Sequence, residues 1–226
     1  MLLYILTFSL AFCSIVYELL LAQTLSAFLG NTVLRFSVTI GLYLLSMGIG
    51  PLLMRGNTTK NPVTTLQKVE LGLALGGAGS VASLFLLDWA GMPSIGLSIF
   101  AHSLILGIGF LTGLEIPLLI EIRNRKKKDS EAGVLGIDYL GAFAGTLIFA
   151  FLFYPKIGLV PTSFIIATVN SVAGIFLIRY SSLVARERKK LFTGLVLTQV
   201  VLACLFIYGI FMSESVNDFL IQLYLT

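Results

Sequence analysis

The stretch Ser94–Ile120 reads SIGLSIFAHSLILGIGFLTGLEIPLLI and carries two ionisable side chains, His102 and Glu115. A helix of about 20 apolar residues crosses the roughly 30 Å hydrocarbon core of a bilayer, and this stretch is longer than that. A membrane β-barrel would show short segments of alternating polarity, which the stretch lacks. The sequence therefore predicts a membrane-spanning helix here.

The rest of the chain repeats this pattern. Of its 226 residues 57% are hydrophobic and 12% charged, about half the usual charged share of a soluble domain, and the mean hydropathy is +0.98. The fold class predicted is all-α, a polytopic integral membrane bundle of about seven transmembrane helices (domain 1–212), followed by a short extracytoplasmic or interfacial tail (213–226). The predicted helices are 2–28, 33–54, 68–87, 94–120, 133–154, 159–180 and 191–212.

The Lys and Arg residues predict the orientation, because cytoplasmic loops of membrane proteins carry an excess of them. Seven crossings leave Arg35 and Lys156, of the 15 Lys and Arg residues, on one side. The opposite side holds Arg55, Lys60, Lys68, Arg123, Arg125, Lys126, Lys127, Lys128, Arg179, Arg186, Arg188, Lys189 and Lys190. We expect this side, with the N-terminus, to be cytoplasmic and the C-terminus to be extracytoplasmic, in a prokaryotic cytoplasmic (plasma) membrane. The basic patches suit anionic lipid, and we expect no nucleic-acid partner.

Small residues in the predicted helices are spaced for close helix contact. Gly72 and Gly76 form one G-x-x-x-G pattern, and Gly141 and Gly145 form another. This spacing lets helix backbones approach closely in lipid. The stretch 72–80 lacks the preceding strand of a nucleotide-binding loop, so it predicts packing, and no cofactor is expected.

Ionisable residues inside apolar helices are the candidate functional residues, because a charge at the bilayer centre costs about 2.5–3.5 kcal/mol on insertion scales. The predicted binding residues are Glu18, Glu115 and Asp138, and Arg35 and His102 are possible ion-pair or polar partners. A single histidine in the chain excludes a multi-histidine metal site, and no metal is predicted. Glu70 and Glu121 are expected at the membrane interface.

Glu115 and Asp138 are expected at a similar depth in neighbouring helices. Two carboxylates close together in a low dielectric hold a proton or a cation between them. Pro117 frees the carbonyl of Gly113 beside Glu115, which suits an ammonium ligand. Tyr17 and Tyr139 offer aromatic faces to a cation.

Each of these residues also has a structural interpretation. Glu115 can bond to a hydroxyl on a neighbouring helix, and Asp138 can cap the start of helix 5, where the helix dipole favours a negative charge. Glu18 can pair with Arg35. A lone His102 is more often a packed, hydrogen-bonded histidine.

Several strings occur in an order that resembles a known family. They are IVYELLLAQT (15–24), LGNTV (29–33), the stretch 41–50 with Ser46-Met-Gly, GLEIPLL (113–119), LGIDYLGA (135–142) and YPKIGL (154–159). Over roughly residues 10–180 the chain resembles the membrane region of membrane-bound spermidine synthase-like proteins. In those proteins a multi-helix region precedes a soluble polyamine aminopropyltransferase domain.

The resemblance implies a role connected with polyamines. The soluble domain of the family binds decarboxylated S-adenosylmethionine and a polyamine through a Gly-rich Rossmann loop and acidic residues, and no such segment is apparent before Thr226. We therefore expect that this chain is not itself an enzyme.

Two functions remain open. The first is binding or transport of a polyamine or small cation at the buried acids. The second is a non-catalytic membrane anchor or scaffold for an aminopropyltransferase-like domain, or for other membrane subunits. An intramembrane enzyme is a third reading, but no Ser-His, Cys-His or paired-aspartate set supports it.

Overall fold

The computed structural model describes residues 1–54, 61–126 and 131–225, with side chains described up to Arg125 before the second gap and up to Ser213 near the C-terminus. All of the regular structure in these residues is helical. The long helices are α1 (Leu2–Leu29), α2 (Thr32–Met54), α3 (Pro62–Trp89), α4 (Ser94–Lys126), α5 (Glu131–Ile148), α6 (Leu159–Phe176) and α7 (Lys189–Leu225). Part of the predicted basic run, at 127–130, and the loop 55–60 lie outside the described residues.

Seven of the described helical segments are long and apolar enough to cross a membrane. This finding confirms the predicted number of helices and the all-α class. The helices α1, α3, α4 and α6 form the centre of the bundle, while α2 packs chiefly against α4, α5 against α1, and α7 against α6.

The polarity of the bundle is the reverse of that of a soluble protein, in which charged side chains almost never lie fully buried. Phe211, Phe151 and Leu53 are 74%, 73% and 68% exposed on the outer helices. The interior instead contains the buried polar side chains Glu18, Gln67, Glu70, Glu115, Asn170 and Gln199. The outside is therefore suited to an apolar solvent and the interior to polar contacts.

The predicted glycine contacts are confirmed. A Cβ atom at Gly145 would lie 2.8 Å from the carbonyl oxygen of Phe12, and one at Gly141 would meet the carbonyl of Phe8, so α5 lies backbone to backbone against α1. On α3, Gly72 and Gly76 lie against side chains of α4. Small residues thus set the closest helix approaches.

The start of α3 differs from the prediction of residue 68. The helix begins at Pro62, where proline stands in the first turn and the missing N–H costs nothing. The Asn61 side chain accepts a hydrogen bond from the Ala185 amide at 3.1 Å, which ties this start to the segment after α6. The polar composition of 61–68 therefore reflects buried helix rather than a loop.

The other boundaries lie near the predicted ones, with three differences. The helix α4 continues to Lys126, six residues past its predicted end at 120. The end of α5 widens into a π-helical turn, Phe149–Ile157, which contains Pro155 and ends at Gly158 with φ 89°. The predicted tail 213–226 continues α7 to Leu225, since residues 213–225 contain neither Gly nor Pro to end the helix. The relation of that segment to a membrane stays a prediction.

Candidate functional site

The most unusual feature of the interior is a pair of carboxyl groups. Glu70 on α3 is 0% exposed and Glu115 on α4 is 4% exposed. Their side chains lie within hydrogen-bonding reach of each other. Both carboxyl oxygens of Glu70 and Oε1 of Glu115 have no hydrogen-bond partner among the described residues. Two ionised groups in this position would repel each other, so the pair shares a proton or holds a cation.

Tyr17 of α1 brings a third helix to the pair. Its side chain is 1% exposed, and its hydroxyl has no hydrogen-bond partner in the described parts of the chain. Both Glu70 and Glu115 act on it electrostatically. The phenol therefore lies near the carboxyl pair, whereas the sequence analysis associated Tyr17 with Glu18.

A tyrosine on α2, Tyr43, forms hydrogen bonds to α1 and α4 near Glu115. The Tyr43 hydroxyl lies 2.9 Å from Oγ1 of Thr112 and donates to the Ser14 carbonyl at 3.1 Å. Both Glu115 and Glu18 act electrostatically on Tyr43. Tyr43 thus lies near both Glu115 and Glu18, and Glu18 is itself 7% exposed.

Of the predicted acids, Asp138 on α5 lies farthest out. It is half-buried, yet it acts electrostatically on Glu115. Tyr139, its neighbour in sequence, is 73% exposed on the outer surface of α5. The structure therefore places Tyr17 and Asp138 near Glu115, connects Glu18 to them only through Tyr43, and leaves Tyr139 on the outer surface.

The predicted polar partners do not join this group. No ion pair between Arg35 and Glu18 occurs in the described residues, and Nε of Arg35 is buried without a partner. The Nδ1 atom of His102 lies 2.5 Å from the Ser98 carbonyl oxygen on its own helix. His102 is therefore a locally bonded histidine, which was the structural interpretation.

Sequence reasoning missed Glu70 as a site residue, because it predicted a position at the membrane interface and not the full burial inside the bundle that the structure shows. Because α3 begins at Pro62, Glu70 lies eight residues inside the helix, or roughly 12 Å at about 1.5 Å per residue. Glu121, by contrast, is 31% exposed and pairs with Arg125 at 2.8 Å. Of the two residues predicted at the membrane interface, only Glu121 is thus partly exposed near a helix end.

A second polar group also escaped the sequence analysis. Nε2 of Gln67 on α3 donates to Oε1 of Gln199 on α7, and both side chains are 0% exposed. Asn170 of α6 is equally buried, and neither of its polar atoms has a described partner. Isolated amides in separate apolar helices gave no sequence signal, because their meeting depends on the tertiary fold. Within the described residues, no group of His, Cys, Asp and Glu could hold a metal ion.

Fold and site together define a class, the apolar helical bundle with a buried carboxyl pair at its centre. In sequence, the chain is similar to curated polyamine aminopropyltransferases. It is 37% identical over 170 residues to the enzyme of Leptospira interrogans, which covers 74% of this chain and 33% of the relative. It is 35% identical to polyamine aminopropyltransferase 2 of Ralstonia nicotianae (75% and 33%) and to the enzyme of Oceanobacillus iheyensis (70% and 31%).

These relatives correct one expectation and support another. The expectation that the chain is not an enzyme is wrong by this comparison, because the curated relatives are named as aminopropyltransferases, which are enzymes. The polyamine relationship inferred from the sequence strings is supported, whereas the relatives' names support neither transport nor a scaffold. The chain spans about a third of the length of these relatives. No protein-family model and no solved structure matches it.

Proposed function

We propose that this chain is a membrane-spanning bundle that serves polyamine aminopropyl transfer by binding an ammonium group of a polyamine at Glu70 and Glu115. The names of the relatives supply the polyamine connection. Amine binding is assigned to the bundle, and the transfer step is assigned to none of the described residues.

The contact between the two buried carboxyl groups carries this proposal. An ammonium group between two carboxylates removes their repulsion and donates up to three hydrogen bonds, and three of the carboxyl oxygens have no hydrogen-bond partner among the described residues. Tyr17 can add its hydroxyl oxygen as an acceptor or its ring as a cation–π face. Asp138 near Glu115 and Glu18 near Tyr43 are two further acids, and an ammonium ligand with more than one positive charge would favour their ionised forms.

The exposed apolar side chains of α2, α5 and α7 support the membrane placement, since a soluble monomer rarely exposes contiguous apolar surface on this scale. The exposed basic residues Arg186, Arg188, Lys189 and Lys190 lie together at the start of α7, at the end predicted to be cytoplasmic. A bacterial cytoplasmic membrane, the location proposed, fits the organisms of the relatives.

The experiment is spermidine binding by the purified chain in lipid nanodiscs, measured by calorimetry. Glu115→Gln keeps the shape of the side chain but removes its charge and replaces one acceptor oxygen by an NH₂ donor, so we expect affinity to fall at least tenfold. The matched control is Glu121→Gln on the same helix, because Glu121 is partly exposed and already paired with Arg125.

The expected result is spermidine binding that the control variant retains and Glu115→Gln loses. Equal affinity in the wild type, Glu115→Gln and Glu121→Gln would place any bound amine elsewhere. Absence of spermidine binding to the folded wild-type bundle would reject the proposed function outright.

A further inference from the structure

A line of buried polar side chains follows α3 from its start to the carboxyl pair. Asn61, Thr64, Gln67 and Glu70 occur at every third position and are 9%, 1%, 0% and 0% exposed. Residues three apart on a helix are surface neighbours, about 5–6 Å between Cβ atoms. The four side chains therefore form a continuous polar line that winds around α3 toward Glu70.

The Gln67–Gln199 bond places α6 and α7 against this line. Gly174 of α6 lies directly against the Gln199 amide, because a Cβ atom at Gly174 would overlap it. The bond leaves Oε1 of Gln67 and Nε2 of Gln199 without described partners. Exchanging the oxygen and the nitrogen of both amide groups reverses the bond but still leaves one oxygen and one NH₂ group free, and exchanging only one of them breaks the bond.

Asn170 lies at the level of Glu70. The start of α3 bonds to the segment after α6, so the two helices run antiparallel. Gly174 is level with Gln67, while Ala167 belongs to the same buried cluster as Ala74.

Asn170 lies between Gly174 and Ala167 on α6, just as Glu70 lies between Gln67 and Ala74 on α3. Both are about one helical turn further from the start of α3 than the Gln67–Gln199 bond. Ser171 accompanies Asn170 at this level.

The atoms without described partners along this line include both donors and acceptors. They are Oγ1 of Thr64, Oε1 of Gln67, Nε2 of Gln199, Oδ1 and Nδ2 of Asn170, and Oγ of Ser171, all on buried side chains. An ammonium group would satisfy only the acceptors and an anion only the donors. Water is both donor and acceptor, and buried water typically makes about three hydrogen bonds to such groups.

We infer that water molecules bound between α3, α6 and α7 form a proton path from the start of α3 to Glu70. In each step a water molecule forms an O–H bond to the incoming proton and breaks one of its other O–H bonds as it passes a proton on. Every molecule in the line is therefore water again after one proton has passed. The amide side chains orient the waters and are not protonated. The last water molecule in the line transfers its proton to a carboxylate oxygen of the Glu70–Glu115 pair. The path requires no bound amine, so it is independent of the proposed function.

The test is hydrogen–deuterium exchange of the protonated carboxyl group, followed by infrared spectroscopy of the full chain in nanodiscs after transfer to heavy water. The band is assigned by its loss or shift in Glu70→Gln and Glu115→Gln. We expect Asn170→Leu, which fills the space with an apolar side chain of similar size, to slow the exchange at least tenfold. Asn170→Ser, which keeps a polar group and leaves room for water, should exchange within about threefold of the wild-type rate.

Ser80→Ala is the matched control. Ser80 is fully buried on α3, the helix of Glu70, and lies further from the start of α3 than Glu70 does. Its hydroxyl already donates to the Gly77 carbonyl at 2.8 Å. Its substitution should leave the exchange rate unchanged. Wild-type exchange in folded Asn170→Leu would overturn the inference, and so would equal slowing in Asn170→Ser and Asn170→Leu. If no carboxyl band depends on Glu70 or Glu115, the pair carries no proton and the inference is also overturned.

Discussion

The ring of Tyr17 on α1 lies directly against the backbone of Gly77 on α3, so closely that a Cβ atom at Gly77 would overlap the ring. This contact brings α1 against α3 and holds the Tyr17 hydroxyl near Glu70 and Glu115, which act on it electrostatically. The packing of Tyr17 on Gly77 therefore also fixes the position of the Tyr17 hydroxyl at the polar centre of the bundle.

Gly77→Ala tests this contact. The added methyl group forces Tyr17 to move, and overpacking of this kind typically costs about 1–3 kcal/mol. We expect a lower unfolding free energy in a steric-trap or denaturant measurement. Gly79→Ala is the control, because no atom lies within 4 Å of a Cβ at Gly79 and alanine favours helix over glycine. Equal stability of the two variants would show that the Tyr17–Gly77 contact is not tight.

The Gln67–Gln199 bond gives a prediction about paired substitutions. Gln199→Leu leaves the Gln67 amide buried without its partner, which should cost about 1–3 kcal/mol. The double variant Gln67→Leu/Gln199→Leu removes both polar groups and should cost clearly less than the sum of the two single substitutions. Unfolding free energies of the four proteins give the coupling. Additive costs would mean that the two amides do not interact.

The predicted orientation can be tested by labelling single cysteines in intact cells. The background replaces Cys13 and Cys204, which are free thiols. We expect Lys156→Cys to react with a membrane-impermeant maleimide from outside, and Lys190→Cys to react only after permeabilisation, since both side chains are exposed at opposite predicted ends. Reversed labelling would invert the topology, and labelling of both from outside would contradict the membrane crossing between them.

Much of the fold was predictable because it depends on local sequence. The apolar segments are long and are separated by polar turns, so the number of helices and most of their ends follow from hydropathy. The G-x-x-x-G pairs 72/76 and 141/145 also carry their own signal, since small residues in apolar helices mark close contacts. No comparable local signal identifies which helix each pair contacts.

The site was predicted less well, and α3 shows why. The residues between Asn61 and Lys68 are polar, and polar segments between apolar helices are usually loops exposed to water. The sequence therefore predicts a helix start six residues too late and a position for Glu70 at the membrane interface. In the fold, the neighbouring helices cover these residues. Tyr17 and Tyr139 each neighbour an acid in sequence, yet one faces the interior and the other the outside, because α1 is central and α5 peripheral.

The central claim is that Glu70 and Glu115 act together as one amine site. The most direct measurement is a double-mutant cycle on spermidine affinity with the wild type, Glu70→Gln, Glu115→Gln and the double variant in nanodiscs. Groups in direct contact give non-additive effects, so each single substitution should weaken binding at least tenfold, and the second should add little after the first. Additive losses, or a wild-type affinity in either single variant, would contradict a shared site.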